Sequence, residues 1–200
     1  MTDTSGKGRR AELERETGET RIRASVDLDG SGRADVSTGL AFLDHMITQL
    51  SMHGRFDVSI EASGDLNVDD HHTVEDVALV LGCVFREALG EVRAIRRFGS
   101  AHAPLDEALA RVVVDWSGRP LAVTELGLVR HEIGKVATEN IPHFFRSFAT
   151  AAELTLHVDV LRGENDHHRI ESAFKALALA LRSSVERVSG LGVPSTKGVL

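Results

Sequence analysis

One six-residue pattern occurs twice in this chain and governs what it can fold into. Asp70-His71-His72-Thr73-Val74-Glu75 returns as Asp166-His167-His168-Arg169-Ile170-Glu171. Both copies read Asp-His-His-x-x-Glu, and both open an apolar run long enough for a helix. Each is preceded, at a similar distance, by a further histidine, His45 or His143. So distant a repeat of ligand-type residues points to a duplicated half-domain and not to a solenoid of short units.

The pattern around the repeat supports two halves. Ile22, Ala24, Val26 and Leu28 alternate with polar residues as a half-buried strand does. Asp29-Gly30-Ser31-Gly32 reads as a hairpin turn into a second strand at Ala34–Ser37. The acidic spacing there falls short of a calcium loop, because its twelfth position is Thr38 and not Glu. A helix over Leu40–His53, a strand through Phe56, Val58 and Ile60, and a long helix from His71 to about Leu89 complete the first half. The second half repeats the order. Strands are expected at Arg111–Trp116 and Leu121–Leu126, and a looser connection over Val129–Val136. A helix over Asn140–Ala152, a strand over Leu154–Leu161 and a helix from His167 to about Val188 follow. The fold class is therefore α+β: two duplicated half-domains, each strand-strand-helix-strand-helix, with helices packed on mostly antiparallel sheets. Residues 1–18 are polar without an apolar period and read as an N-terminal arm. Residues 19–95 form the first half-repeat, and 96–200 the second with a C-terminal substrate-binding tail, in one compact domain.

Composition limits the function classes. A net charge of −7 argues against a general nucleic-acid or membrane-surface binder. No apolar run approaches a membrane span, and no signal-peptide pattern opens the chain. The single Cys83 leaves no intramolecular disulfide and fits a reducing, cytoplasmic location. Of ten histidines, six belong to the repeated pattern.

Imidazole and carboxylate together suit first-row metal ions. On a helix, residues i and i+4 share a face, so His71 with Glu75, and His167 with Glu171, are paired donors. His72 and His168 point roughly 100° away from those pairs. The spacing therefore predicts reciprocal donation. One ion takes His45, His71, Glu75 and His168; the other takes His143, His167, Glu171 and His72. Asp70 and Asp166 are expected to cap their helices or to hold the imidazoles from behind. His53, His102, His131 and His157 lie outside the repeat and read as structural or surface residues. Arg96-Arg97, Arg119, Lys175 and Ser195-Thr196-Lys197 are candidates for an anionic ligand.

With these motifs in view, the chain resembles the imidazoleglycerol-phosphate dehydratase family from about Glu16 to Leu200. Leu43-Asp44-His45-Met46, the two His-His segments, Arg97-Phe98-Gly99-Ser100, Asp106-Glu107-Ala108-Leu109, Ser117-Gly118-Arg119-Pro120, Phe174-Lys175 and Ser195-Thr196-Lys197-Gly198 carry the resemblance. Leu105 departs from it, standing where the family usually has Met. The resemblance implies a hydro-lyase of histidine biosynthesis that converts imidazole glycerol phosphate to imidazole acetol phosphate through a metal-bound imidazolate. It implies two Mn²⁺ ions per subunit and a homo-oligomer of about twenty-four subunits, with active sites at subunit interfaces. It implies substrate contacts at Glu19, Gln49, Arg97, Arg119, Lys175, Ser195 and Lys197, with His53 beside them. Glu19, Glu171 and, more weakly, Asp106 are the candidate acids or bases. The donor set also permits a dinuclear-metal phosphohydrolase, or a metal-storage shell with no role for Arg97, Lys175 or Lys197.

Overall fold

The computed structural model describes residues 8–198. Strands β1 (Arg10–Glu16), β2 (Thr20–Asp27) and β3 (Ala34–Ser37) are followed by helix α1 (Ala41–Gly54), strand β4 (Asp57–Gly64) and helix α2 (His71–Leu89). The second half runs β5 (Phe98–Leu105), β6 (Ala108–Asp115), β7 (Leu121–Glu125), the short pair β8 (Glu132–Ile133) and β9 (Val136–Ala137), α3 (Asn140–Ala151), β10 (Thr155–Arg162) and α4 (Asp166–Ser184). The two four-stranded sheets have the orders β1-β2-β4-β3 and β5-β6-β10-β7. Each therefore places its first, second, fourth and third strands in the same sequence. In each, only the pair made by the last two strands in that order is parallel. The duplication read from the sequence is thus a duplication of topology, in an α+β fold.

Each four-stranded sheet has one strand more than the sequence suggests, and the expected looser connection after Val129 holds the short antiparallel pair β8–β9. Residues 1–7 of the expected arm lie outside the described residues. Over Arg10–Glu16 the arm reading is corrected: this segment is β1, paired antiparallel to β2. Its inward residues, Ala11 and Leu13, are only half-buried, so the apolar period is faint. Ion pairs Arg21–Glu14 and Arg23–Glu12 secure it across the strands. Strand β5 is an edge strand whose buried positions are Gly99 and Ala103, too small to register as an apolar stripe. Pro104 is tolerated there because an edge strand need not donate on both sides. At Gly99 a Cβ would meet the carbonyl oxygen of Ala180, so glycine lets β5 lie directly on α4.

The expected β2–β3 hairpin is also corrected. The strand β3 pairs in parallel with β4 instead. The intervening loop closes on Asp57, whose Oδ1 accepts the backbone N–H groups of Ser31, Gly32 and Arg33 at 2.7, 3.1 and 3.0 Å. The Arg33 guanidinium on Oδ2, with those amides, holds the Asp57 carboxyl well below the usual carboxylate range. Helix α4 ends at Ser184, short of the expected Val188. There the buried Trp116 indole donates to Ser184 Oγ at 2.9 Å.

The helices lie between the sheets and exchange partners. Helix α2 packs on β1 and β2, and α4 on β5 and β6. Helix α1 of the first half packs along α4 of the second, and α3 of the second along α2 of the first. Phe85, Phe144, Phe145, Phe148 and Phe174 fill the seam with tilted and edge-on contacts. Such rings each bury a large apolar area, so this seam is where the two halves become one core.

Candidate metal centre and active site

The exchange of helix partners decides which histidines meet. Helix α1 carries His45 to α4, where His167 and Glu171 sit one turn apart. His45 Nε2 and His167 Nε2 each lie 3.1 Å from Glu171 Oε2. Helix α3 carries His143 to α2. There His143 Nε2 lies 3.4 Å from Glu75 Oε1, and His71 Nε2 lies 3.6 Å from Glu75 Oε2. In each triad the three ligand atoms fall within 4.8 Å of one another. The partition read from the sequence is therefore corrected. His45 belongs with His167 and Glu171, and His143 with His71 and Glu75, because each upstream helix docks on the opposite half. Nor do His72 and His168 join either triad within one chain.

The donor set fits a metal ion. Two imidazoles and a carboxylate are borderline ligands that first-row divalent ions accept. The buried Nε2 of His143 has no hydrogen-bond partner among the described residues. A buried polar atom without a partner costs stability, and ligation would relieve it.

The two triads differ in their surroundings. His71 Nδ1 lies 3.0 Å from Asn140 Oδ1, whereas His167 packs against the ring of Phe42 at 5.2 Å. Glu171 Oε1 also meets the Lys175 ammonium at 2.7 Å. Burial works to raise the Glu171 pKa, but Lys175 and His45 together bring it down to about 2. Along α1, Gln49 Nε2 approaches His45 Nδ1 at 3.5 Å, and His53 Nε2 meets Gln49 Oε1 at 3.0 Å. Burial, then the nearby Lys175 charge, push the His53 pKa down. The structure thus gathers Gln49, His53 and Lys175 beside one triad.

The remaining candidates lie elsewhere. Glu19, at the β1–β2 turn, lies 3.7 Å from His72, and Asp106, at the β5–β6 turn, 3.9 Å from His168. Arg97 is nearly buried and fully engaged. Its guanidinium grips Asp115 at 2.6 and 3.1 Å and donates to the Pro194 carbonyl at 2.7 Å. Arg97, expected as a substrate contact, is thus already paired within the chain and anchors the tail that carries Ser195 and Lys197. In that tail the Lys197 N–H donates to Ser195 Oγ at 3.2 Å. Gly118, beside Arg119, shares a cavity of about 460 Å³ with Val193 and Gly198 of the same tail.

The expected capping roles fail as well. Neither Asp70 nor Asp166 caps its helix through its side chain. Asp69 accepts the His71 N–H and Asn165 the His167 N–H. Asp70 Oδ2 instead accepts the Ala137 N–H, and Asp166 Oδ2 those of Val129 and Arg130. Both acids therefore pin one connector, which leads into α3 and His143. Sequence reasoning also missed Asp65, Glu107 and Asn140. Glu107 belongs to the Asp-Glu-Ala-Leu segment, and Asn140 opens the helix that bears His143, but nothing in the pattern shows what each touches.

A family model described as imidazoleglycerol-phosphate dehydratase matches residues 38–181. An imidazoleglycerol-phosphate dehydratase of Candida glabrata is 54% identical over 94% of this chain and 98% of its own length. One of Kluyveromyces lactis is 57% identical over 88% of this chain and 80% of its own length. The crystal structure of the Staphylococcus aureus imidazoleglycerol-phosphate dehydratase superposes with a TM-score of 0.81 at 36% identity, covering 90% of this chain and 99% of that one. The Pyrococcus furiosus structure, in complex with (S)-C348, gives the same score and identity over 94% and 100%. With its doubled topology and paired histidine triads, the chain belongs to the imidazoleglycerol-phosphate dehydratase family.

Proposed function

We propose that this chain dehydrates imidazole glycerol phosphate to imidazole acetol phosphate, the hydro-lyase step that its family carries out in histidine biosynthesis. The observation that carries the reading is the pair of His/His/Glu triads, related by the internal duplication, in a chain of this family. His45, His167 and Glu171 would hold one Mn²⁺, and His71, Glu75 and His143 a second. His72 and His168 of neighbouring copies would complete the two sites in an assembly of about twenty-four subunits. When bound, the ions supply Lewis acidity that polarises the substrate's imidazole ring.

The chain's own residues supply position and proton transfer. Glu171 is tied to two imidazoles and Lys175, and its low pKa makes it a poor proton acceptor. Glu19, exposed beside His72, is the better acid or base, and Asp106 occupies the matching place beside His168. Lys175, Gln49 and His53 lie together on the triad side, where they would orient the glycerol chain. Arg119, Ser195 and Lys197 would hold the phosphate. Arg97 would join them as a substrate contact while fixing the tail on which two of those groups ride. We take the first half-repeat to run from β1 to about residue 95 and the second to be 96–200, and the location to be the cytoplasm.

The test is an assay for ketone formation from imidazole glycerol phosphate after chelation and re-addition of Mn²⁺. Activity that returns with the ion supports the reading. Release of inorganic phosphate instead would establish a phosphohydrolase and overturn it.

A further inference from the structure

Two histidines of the doubled pattern stand outside both triads, and each is held by a carboxylate on the same ring atom. His72 Nδ1 lies 3.0 Å from Asp65 Oδ2, and His168 Nδ1 lies 2.8 Å from Glu107 Oε2. At the other nitrogen, Nε2, the carboxylates of Glu19 and Asp106 stand off at 3.7 and 3.9 Å, beyond hydrogen-bond reach. The arrangement is the same in both halves, but the residues are not equivalent. Asp65 directly follows β4, while Glu107 lies in the β5–β6 turn, whose counterpart in the first half is the β1–β2 turn. Simple inheritance through duplication does not place a carboxylate on Nδ1 from two different loops.

Both residues are themselves braced, Glu107 through its carboxylate and Asp65 through its backbone. Glu107 Oε1 accepts the N–H groups of Glu164 and Asn165 at 3.0 and 2.9 Å, at the entry to α4. The Asp65 N–H donates to the Glu19 carbonyl, and the Asp65 carbonyl accepts from Val68 N–H. An imidazole whose Nδ1 proton goes to a fixed carboxylate keeps its lone pair on Nε2 and cannot rotate freely.

We propose that Asp65 and Glu107 are positioning residues that hold His72 and His168 by Nδ1, so that each Nε2 is presented as a ligand to a metal ion gripped by a His/His/Glu triad of a neighbouring copy. This rests on the metal reading above. It adds to that reading the two carboxylates that determine whether the completing ligand is aimed and in the right tautomer.

The experiment is Mn²⁺ titration of the chelated, full-length protein by electron paramagnetic resonance, with assembly mass followed by light scattering. Asp65→Ala and Glu107→Ala should each weaken the binding of one ion by about 10- to 100-fold. Asp65→Asn and Glu107→Gln keep an oxygen that accepts the Nδ1 proton and should recover most of that loss. His72→Ala and His168→Ala serve as references and should lose at least as much as the alanine variants of the carboxylates. Wild-type affinity for both ions in Asp65→Ala and Glu107→Ala, with loss in the histidine variants, would overturn the positioning role and leave the metal reading standing. Wild-type affinity in the histidine variants as well would overturn the metal reading itself. Should Asp65→Ala fail to fold, Asp65→Ser replaces it: a side chain too short to reach Nδ1, judged by the same two outcomes.

Discussion

Replacing Lys175 with methionine should bring the metal affinities of the two triads together. In the triad of His45, His167 and Glu171, the carboxylate is shared by two imidazoles at 3.1 Å and by the Lys175 ammonium at 2.7 Å. Lys175 and Glu171 are largely covered, at 17% and 10% side-chain exposure, so water screens the pair weakly. Among the described residues the other triad has no such competitor: one turn beyond Glu75 stands Leu79. A divalent ion entering the first triad must weaken the ammonium–carboxylate bond and then sit beside a positive charge. A hydrogen bond between charged partners contributes about 1.5–3 kcal/mol. Forfeiting it makes that site roughly 10- to 150-fold weaker, at about 1.4 kcal/mol per tenfold. Asn140, which holds His71 by Nδ1, acts in the same direction by steadying the stronger site. Isothermal titration of the chelated protein with Mn²⁺ should resolve two phases separated by that factor. In Lys175→Met the weaker phase should move toward the stronger one. A single phase in the wild type, or an unchanged separation in the variant, would refute the reasoning. Catalysis is not the readout, because Lys175 is also proposed to contact substrate.

Glu19→Gln should depress turnover far more than metal content, measured by steady-state assay beside metal analysis; full activity would remove Glu19 as the acid or base. Asp166→Ala strands the N–H groups of Val129 and Arg130 and should cost about 2–4 kcal/mol, with Asp166→Asn losing about half as much, read from the urea midpoint of the metal-free protein. The folded-state pKa of Glu171, about 2, lies below its ordinary value of 4.5. Its contribution to the stability of the metal-free chain is therefore complete above about pH 4.5 and is lost as pH falls toward 2. The difference in urea midpoint between wild type and Glu171→Gln should be flat at higher pH and shrink below pH 4.5.

Much of this arrangement is legible in the sequence, and the rest is hidden for definable reasons. The long apolar periods of α2 and α4 announce themselves, and the Asp-His-His-x-x-Glu repeat exposes both the duplication and the donor types. Strand β5 is hidden because its inward positions are glycine and alanine. Strand β1 is hidden because an edge strand needs only a weak apolar face. The ligand partition fails for a deeper reason. Nearness in sequence suggests that His45 serves the helix that follows it, but α1 docks on α4 through contacts that no local period encodes. Arg97 shows the same limit. Its place in an Arg-Phe-Gly segment does not reveal that Asp115 and the Pro194 carbonyl hold its guanidinium against the tail.

The crossing of histidines between halves bears on how such a chain arose. Neither half alone owns a complete triad, so a polypeptide of half this length could not have gripped an ion by itself. Two identical half-length chains paired about a two-fold axis would have formed both triads at once, each lending its upstream imidazole to the other. Fusing such a pair would turn that symmetric partnership into one polypeptide and free its two sites to differ, as they do here, with Asn140 opposite Phe42 and Lys175 opposite Leu79.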